Sequence, residues 1–342
     1  MQLRSFFRIL APLVGAAGAA FAAMDTNALV VTASNAASNQ LLVYNTAGKL
    51  MQTLSTQGQG GVSGNAGGIE VEGGLVAVVN YGSNNVSLFQ RGGDGLHLVQ
   101  VVSTVAKPVS VAFGPAHLYV LGATEVESHW MFGPFVNSGA DGSAKLLVAD
   151  GSAAQVVVAD GQLLVTEKSN EIETVALGSE GAIDGMATAV KNIPANVNTP
   201  FGSVARGNDV YVTIAHANEI SLVRDGAVLT TTSSGTQMAP CWLTLEGPFL
   251  FSSNSPSMSI SRYAVYGQKI VQDAAVAAML NGAPTDIAFA GGMIAVIDGN
   301  GPVTHLSMFS VDEDGNLTLL QAADTITGAA NGVGIVRSAE QF

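Results

Sequence analysis

Beyond residue 24 the chain alternates short apolar runs with clusters of Gly, Asn, Asp and Ser. The runs are rich in Val, Ile, Leu and Phe, which reads as strands bounded by turns. No segment sustains a helical period; the most helix-like stretch, Gln272 to Leu280, lies between two strand runs. The runs recur in a fixed order. A start of the form small-Pro-x-x-apolar appears at Lys107-Pro108, Thr199-Pro200, Ala239-Pro240 and Ala283-Pro284. Equivalent starts without Pro occur at Ala154 to Val158, Gly68 to Val71 and Gly332 to Val336. A second strand follows each of the first six, at Leu75–Val79, Leu118–Leu121, Leu163–Thr166, Val210–Ile214, Phe249–Ser252 and Met293–Ile297. Third strands follow at several starts, and a fourth closes units such as Leu96–Val101 and Asn316–Leu320.

A four-stranded unit repeated roughly every 40–50 residues predicts a β-propeller. Seven starts give an all-β, seven-bladed propeller of four-stranded blades. The seventh start, near Val333, has no chain left for three more strands. The N-terminal runs Ala28–Thr32, Asn39–Tyr44 and Leu50–Leu54 supply them, so the last blade is closed by both chain ends and no sheet edge is left to aggregate. A β-sandwich with a second domain would give no reason for the repeat.

The first 23 residues read differently. Arg4 and Arg8 precede an apolar stretch, and Ala20-Phe21-Ala22 is an A-x-A cleavage signature. The reading is a signal peptide at 1–23 and one propeller domain at 24–342. The apolar run is short for a spanning helix, which needs about 20 such residues. The protein is therefore expected to be secreted, extracellular or periplasmic, with no membrane association after cleavage. Composition narrows the function. Only 11% of residues are charged and the net charge is −13, which disfavours phosphate backbones and excludes nucleic acid as a partner. One Cys excludes a disulfide framework and any CxxC site. The expected partner is a small molecule, and the expected state is a monomer.

Several segments resemble the lactonase-type seven-bladed β-propellers, a family that includes 6-phosphogluconolactonase-like proteins and carboxymuconate cyclases. They are VVNYGSNNVSLFQRGGDGL (78–96), KPVSVAF (107–113), LLVTEKSNEIETV (163–175), TPFGSVA (199–205), APCWLTL (239–245) and SMFSVDEDGNLTLL (307–320). The resemblance runs from Ala28 to Val336 and implies the fold. It implies a lactone or related ring as substrate, hydrolysed or isomerised at the mouth of the central channel. The alternative is a non-catalytic binding platform, because propellers carry many unrelated functions.

Strand direction alone places candidates on one face, where blades connect and second strands end. Glu167, Lys168 and His216 are the catalytic candidates, as base, oxyanion-stabilising cation and alternative base. Adjacent strand residues point to opposite sides, so Glu167 and Lys168 meet one substrate only if the strand has ended. Otherwise Glu167 accepts hydrogen bonds and Lys168 is solvated. Asn80, Lys107, His129, Asn254 and Asp298 are the substrate-binding candidates. His129 is read in a long irregular connection, Gly122 to Lys145, that could cover the mouth. Asn80, Asn254 and Asp298 also suit turns on their own account. No cofactor and no metal are expected, although Ca²⁺ on Asn80, Glu167, Asn254 and Asp298 is chemically allowed. Cys241 reads as a buried thiol. The candidate mouth offers mainly Lys107 and Lys168 as cations, too few for a sugar phosphate or a tricarboxylate.

Overall fold

A computed structural model describes residues 24–93 and 95–338. The leader read at 1–23 lies outside them. The rest is seven antiparallel sheets. Blades are numbered by their innermost strands. Blade 1 is Ile69–Glu72, Leu75–Asn80, Asn85–Gly92 and Gly95–Ser103; blade 2 is Pro108–Gly114, His117–Gly122 and Glu125–Phe132, with Phe135–Val136 and Gly142–Lys145 outermost. Blade 3 is Ala153–Ala159, Gln162–Glu167, Glu171–Ala176 and Thr188–Ala189; blade 4 is Pro200–Arg206, Asp209–Ile214, Glu219–Arg224 and Ala227–Ser233. Blade 5 is Pro240–Glu246, Phe249–Asn254, Ser259–Tyr266 and Lys269–Met279; blade 6 is Ala283–Ala290, Met293–Asn300, Val303–Val311 and Leu317–Thr327. Blade 7 joins Asn331–Val336 to Leu29–Ala33, Gln40–Asn45 and Leu50–Ser55. Each innermost strand contacts the next, and that of blade 7 returns to that of blade 1, so the ring is closed.

The ends meet as the repeat required. Val30 pairs with Ile335 and Val31 with Gly334. Beyond the ladder, Asp25 Oδ2 accepts from Ser338 N at 2.6 Å and Ser338 Oγ at 2.7 Å. Burial pushes the Asp25 carboxyl up, but these hydrogen bonds outweigh it and hold the group below its ordinary value.

Every second strand is covered on both faces by neighbouring blades. Hence runs such as Leu75–Asn80 and His117–Gly122 read as unbroken apolar segments, whereas the outer strand Leu50–Ser55 alternates with solvent. The core lies between blades: Leu29, Val31, Leu41 and Val43 of blade 7 pack on Ile69, Val76, Val78 and Phe89 of blade 1. The most helix-like stretch is extended as well: Gln272–Met279 belongs to the outer strand Lys269–Met279, because pairing with blade 5's third strand overrides local helical preference. One sequence reading is corrected. Gly122 to Lys145 is no irregular cover but the third and outer strands of blade 2.

The prolines mark innermost strands for a physical reason. One edge of such a strand faces the channel and needs no N–H for the ladder, so Pro108, Pro200, Pro240 and Pro284 sit at its start. Just after them the register slips, between Pro108 and Ser110, Pro200 and Ser203, Pro240 and Trp242, and Pro284 and Asp286. Such bulges re-aim side chains, and Ser203, Trp242 and Asp286 all line the central channel.

Candidate functional site

The channel mouth expected to hold the site is closed by residues 57–68. This segment carries six glycines and leads from blade 7 to the innermost strand of blade 1. Five blades hold it. Asn35 Oδ1 accepts from Gly61 N and Val62 N, Ser83 Oγ accepts from Gln59 N, Asn65 Nδ2 donates to Val109 O at 2.6 Å, and Ala66 N donates to Ala154 O. Trp242 Nε1 donates to Asn65 O at 3.0 Å, and Asn331 Nδ2 to Asn65 Oδ1 at 2.8 Å. Glycine is required by close approach: a Cβ on Gly60 would lie 2.3 Å from the Asn35 carbonyl carbon, and one on Gly68 2.1 Å from Asn331 Oδ1.

Beneath this segment runs a cavity of about 360 Å³, within the range of small-molecule sites. It extends from Ala66 and Gly67 down all seven innermost strands. Its lining is buried beside the segment, at Ser203, Trp242, Asp286 and Val333, and more exposed at the far ends, at Val158, Ala205, Leu245 and Ala290. Access is therefore from the face opposite the one read from the sequence.

Two carboxyls stand in this lining. Asp286 is 6% exposed; its Oδ1 accepts from Ile287 N at 2.9 Å and its Oδ2 from Val333 N at 3.2 Å. Burial pushes it up to about 7 despite those hydrogen bonds. Glu70 pairs with Ala77, deeper along its strand than Asp286, which pairs with Ile297 beside the buried end of its own blade. Protein surrounds Glu70 while part of its surface faces the channel, and burial, with the charges of Asp286 and Glu72, pushes it up to about 8. Carboxyls that exchange a proton near neutrality can act as general acid and base. Trp242, Phe113 and Phe289 form the aromatic part of the wall.

The residues singled out from the sequence lie elsewhere. Glu167 is fully buried, with Oε1 accepting from Val148 N and Oε2 from Ala149 N, each at 3.0 Å. Lys168 Nζ donates to Gly64 O and Ala153 O, tying down the closing segment, and burial lowers its proton affinity. Glu167 and Lys168 thus diverge. His216 sits on an exposed turn with Nδ1 2.9 Å from Thr199 Oγ1. Lys107 is exposed and lies 5.0 Å over the Tyr81 ring. His129 is 1% exposed within blade 2, with Nδ1 3.0 Å from Asn137 O and Nε2 3.4 Å from Glu127 Oε1. Burial would lower its proton affinity, but the Glu127 contact and the Asn137 carbonyl outweigh that and raise it.

Asn80, Asn254 and Asp298 share one role with Glu167. Each ends or nearly ends a second strand, is fully buried, and bonds locally. Asn80 Nδ2 donates to Asn85 Oδ1 and Ser87 Oγ; Asn254 Nδ2 donates to Ser259 Oγ and Ser261 Oγ; Asp298 Oδ1 lies 3.0 Å from His305 Nδ1. Burial raises the Asp298 carboxyl. The four belong to four different blades and do not converge on one cation, and no group of three or more His, Cys, Asp or Glu among the described residues could hold a metal ion. Cys241 is half-buried and burial pushes its thiol up to about 12, leaving it unreactive.

Glu167→Gln is expected to lower the Tm by a few degrees. A carboxamide keeps one acceptor, so one of the two backbone N–H groups faces another donor, a loss of about 1–3 kcal/mol. Differential scanning calorimetry measures it, and an unchanged Tm would show that the two N–H groups do not depend on this carboxyl.

Strand order places Asp286 at the start of a first strand, on the candidate face, whereas Glu70 was legible only as a polar residue inside an innermost-strand run. An ionisable side chain on the strand nearest the axis was the signal that could have found Glu70.

No family model matches the chain, and no curated protein matches it. Solved structures do. A protein assigned as a 6-phosphogluconolactonase from Bacteroides fragilis is 14% identical, with TM-score 0.66, over 91% of this chain and 98% of its own. One with the same assignment from Bacteroides uniformis is 16% identical, with TM-score 0.66, over 90% and 99%. The periplasmic gluconolactonase PpgL of Pseudomonas aeruginosa is 15% identical, with TM-score 0.64, over 90% and 98%. At this identity the likeness is one of fold: the chain has the architecture of the lactonase-type propellers along nearly its whole length.

Proposed function

We propose that the protein hydrolyses a small lactone inside the channel, with Asp286 as base and Glu70 as acid. The observation that carries this reading is a pair of carboxyls in one cavity, both held near neutrality by burial. Water gives a proton to Asp286 as its oxygen bonds to the lactone carbonyl carbon. The ring C–O bond then breaks, and the departing ring oxygen takes the Glu70 proton. The product is a hydroxy acid; its acidic proton returns to Glu70 and the one on Asp286 passes to solvent, which restores the starting pair and leaves a carboxylate. A product carboxylate is repelled by the acidic wall, which favours release. The similarity to gluconolactonase-fold structures supports the reading at the level of fold. Export as a single chain, read from the leader, belongs to the same proposal.

The test is a pH-stat screen of neutral γ- and δ-lactones. The expected result is turnover with a bell-shaped pH profile centred between about 7 and 8, set by the two carboxyls. A profile that stays flat across pH 6–9 would remove the pair from the mechanism. The absence of any turnover would favour the platform reading. That reading has its own support in an exposed aromatic hairpin of blade 2, where Trp130, Phe132 and Phe135 are 38%, 52% and 41% exposed.

A further inference from the structure

The channel wall has a charge character that acid–base chemistry alone does not use. Its lining contains Glu70 and Asp286 and no Lys, Arg or His. Of the three other charged groups on the innermost strands, two are also acids and one is a cation. Glu72 is an exposed acid beyond Glu70, Glu246 is an acid at the end of blade 5's strand, and Arg206 at the end of blade 4's strand donates to Gly247 O of the next blade. Each carboxyl that ionises adds negative charge to a wall with no cation in its lining. A bound monocation offsets that charge, whereas an anion would add to it.

A second observation points to a ligand. Ser203 is 2% exposed, its Oγ has no hydrogen-bond partner in the protein, and it lines the cavity. Its backbone N–H is bound to Gln155 Oε1, so the residue is held in place with its hydroxyl unspent. Buried hydroxyls are normally satisfied. A third is the wall itself. Trp242 is locked by its bond to Asn65 O and by an edge-to-face contact with Phe201 at 5.2 Å, which presents a fixed aromatic surface of the kind that attracts cations.

We propose that the channel's ligand is a small organic monocation: a ring compound bearing one protonated amine, its ammonium drawn into the channel by the acidic wall that includes Glu70 and Asp286, its apolar body against Trp242, and its carbonyl oxygen accepting from Ser203 Oγ. This rests on the channel being the site of the lactone chemistry proposed above and names the charge of the substrate. Phosphorylated and carboxylated lactones are excluded by the same wall.

The experiment is calorimetric titration of the full mature chain with cyclopentylammonium, cyclopentanol and cyclopentanecarboxylate. Turnover of an aminomethyl-γ-butyrolactone is compared with that of γ-butyrolactone. The expected result is ammonium binding at least 10-fold tighter than the alcohol and no binding of the carboxylate. Glu70→Gln and Asp286→Asn should each weaken ammonium binding 10-fold or more and leave the alcohol unchanged. Ser203→Ala should raise KM for the amino-lactone and leave cyclopentylammonium, which has no carbonyl, unaffected. Equal binding of ammonium and alcohol, binding of the carboxylate, or no ammonium binding at millimolar concentration overturns the proposal. The two readings fail separately: neutral-lactone turnover without amine preference sinks only the charge assignment, and amine binding without turnover sinks only the lactone chemistry.

Discussion

Deleting residues 24–46 is expected to abolish the cooperative unfolding transition. The deletion removes the second and third strands of blade 7, with Leu29, Val30, Val31, Ala33, Leu41, Leu42, Val43 and Tyr44, all buried. Burial of such a side chain contributes roughly 1.5–3 kcal/mol. The loss is on the order of 10–20 kcal/mol, as large as the whole net stability of a typical domain. It also leaves Asn331–Val336 unpaired and uncovers the faces of blades 1 and 6 that pack on blade 7. Calorimetry and light scattering of the truncated chain should show aggregation or a broad, non-cooperative melt. A truncated chain with the parent's melting curve would mean that the ring does not depend on this closure.

Replacing the acid pair is expected to trade stability against activity. Asp286→Asn should lower kcat for an accepted lactone roughly 10²–10⁴-fold, the usual contribution of a general base. The stability effect has a definite sign. Below about pH 4 both carboxyls are protonated whether the chain is folded or not, and they cost nothing. As pH rises past 3.8 and 4.5 the unfolded chain loses these protons, while the folded chain keeps them to about 7 at Asp286 and about 8 at Glu70. The unfolded state then binds fewer protons, so stability falls across about pH 4–8 and levels off above. The Asp286→Asn, Glu70→Gln double variant should lack this slope. It should therefore gain on the parent between pH 5 and pH 8 by an amount on the order of a few kcal/mol. The amide introduced by Asp286→Asn still faces the Val333 N–H, a pH-independent cost, so the comparison is of slopes. Denaturant titrations at the two pH values measure it; parallel behaviour of parent and variant would show that burial does not raise these carboxyls.

The candidate site was less legible than the fold because propeller geometry has a radial as well as an axial coordinate. Strand direction assigns each residue to a face, and it correctly grouped Asn80, Glu167, Asn254 and Asp298 at equivalent second-strand ends. It does not say that a second strand is screened from the axis by the innermost one. The four side chains therefore sit between blades, and their polarity is consumed by Ser87, by Val148 and Ala149 N–H, by Ser261 and by His305. Nor does strand order reveal that residues 57–68 cross the ring and close the face on which those ends lie.

The sequence by itself determined the strand order, the sevenfold repeat and the joining of both chain ends in one blade. Each follows from local patterning: apolar runs of strand length, prolines at channel-facing edges, and turn residues between them. Only the tertiary structure decided where the open end of the channel is and which acids share it. Glu70 and Asp286 are separated by more than 200 residues in sequence, and they come to one cavity because ring closure sets blade 6 beside blade 7 and blade 7 beside blade 1. The raised proton affinity of Asp286 comes from burial, and that of Glu70 from burial with the charges of Asp286 and Glu72; both arise only once seven strands enclose a common axis.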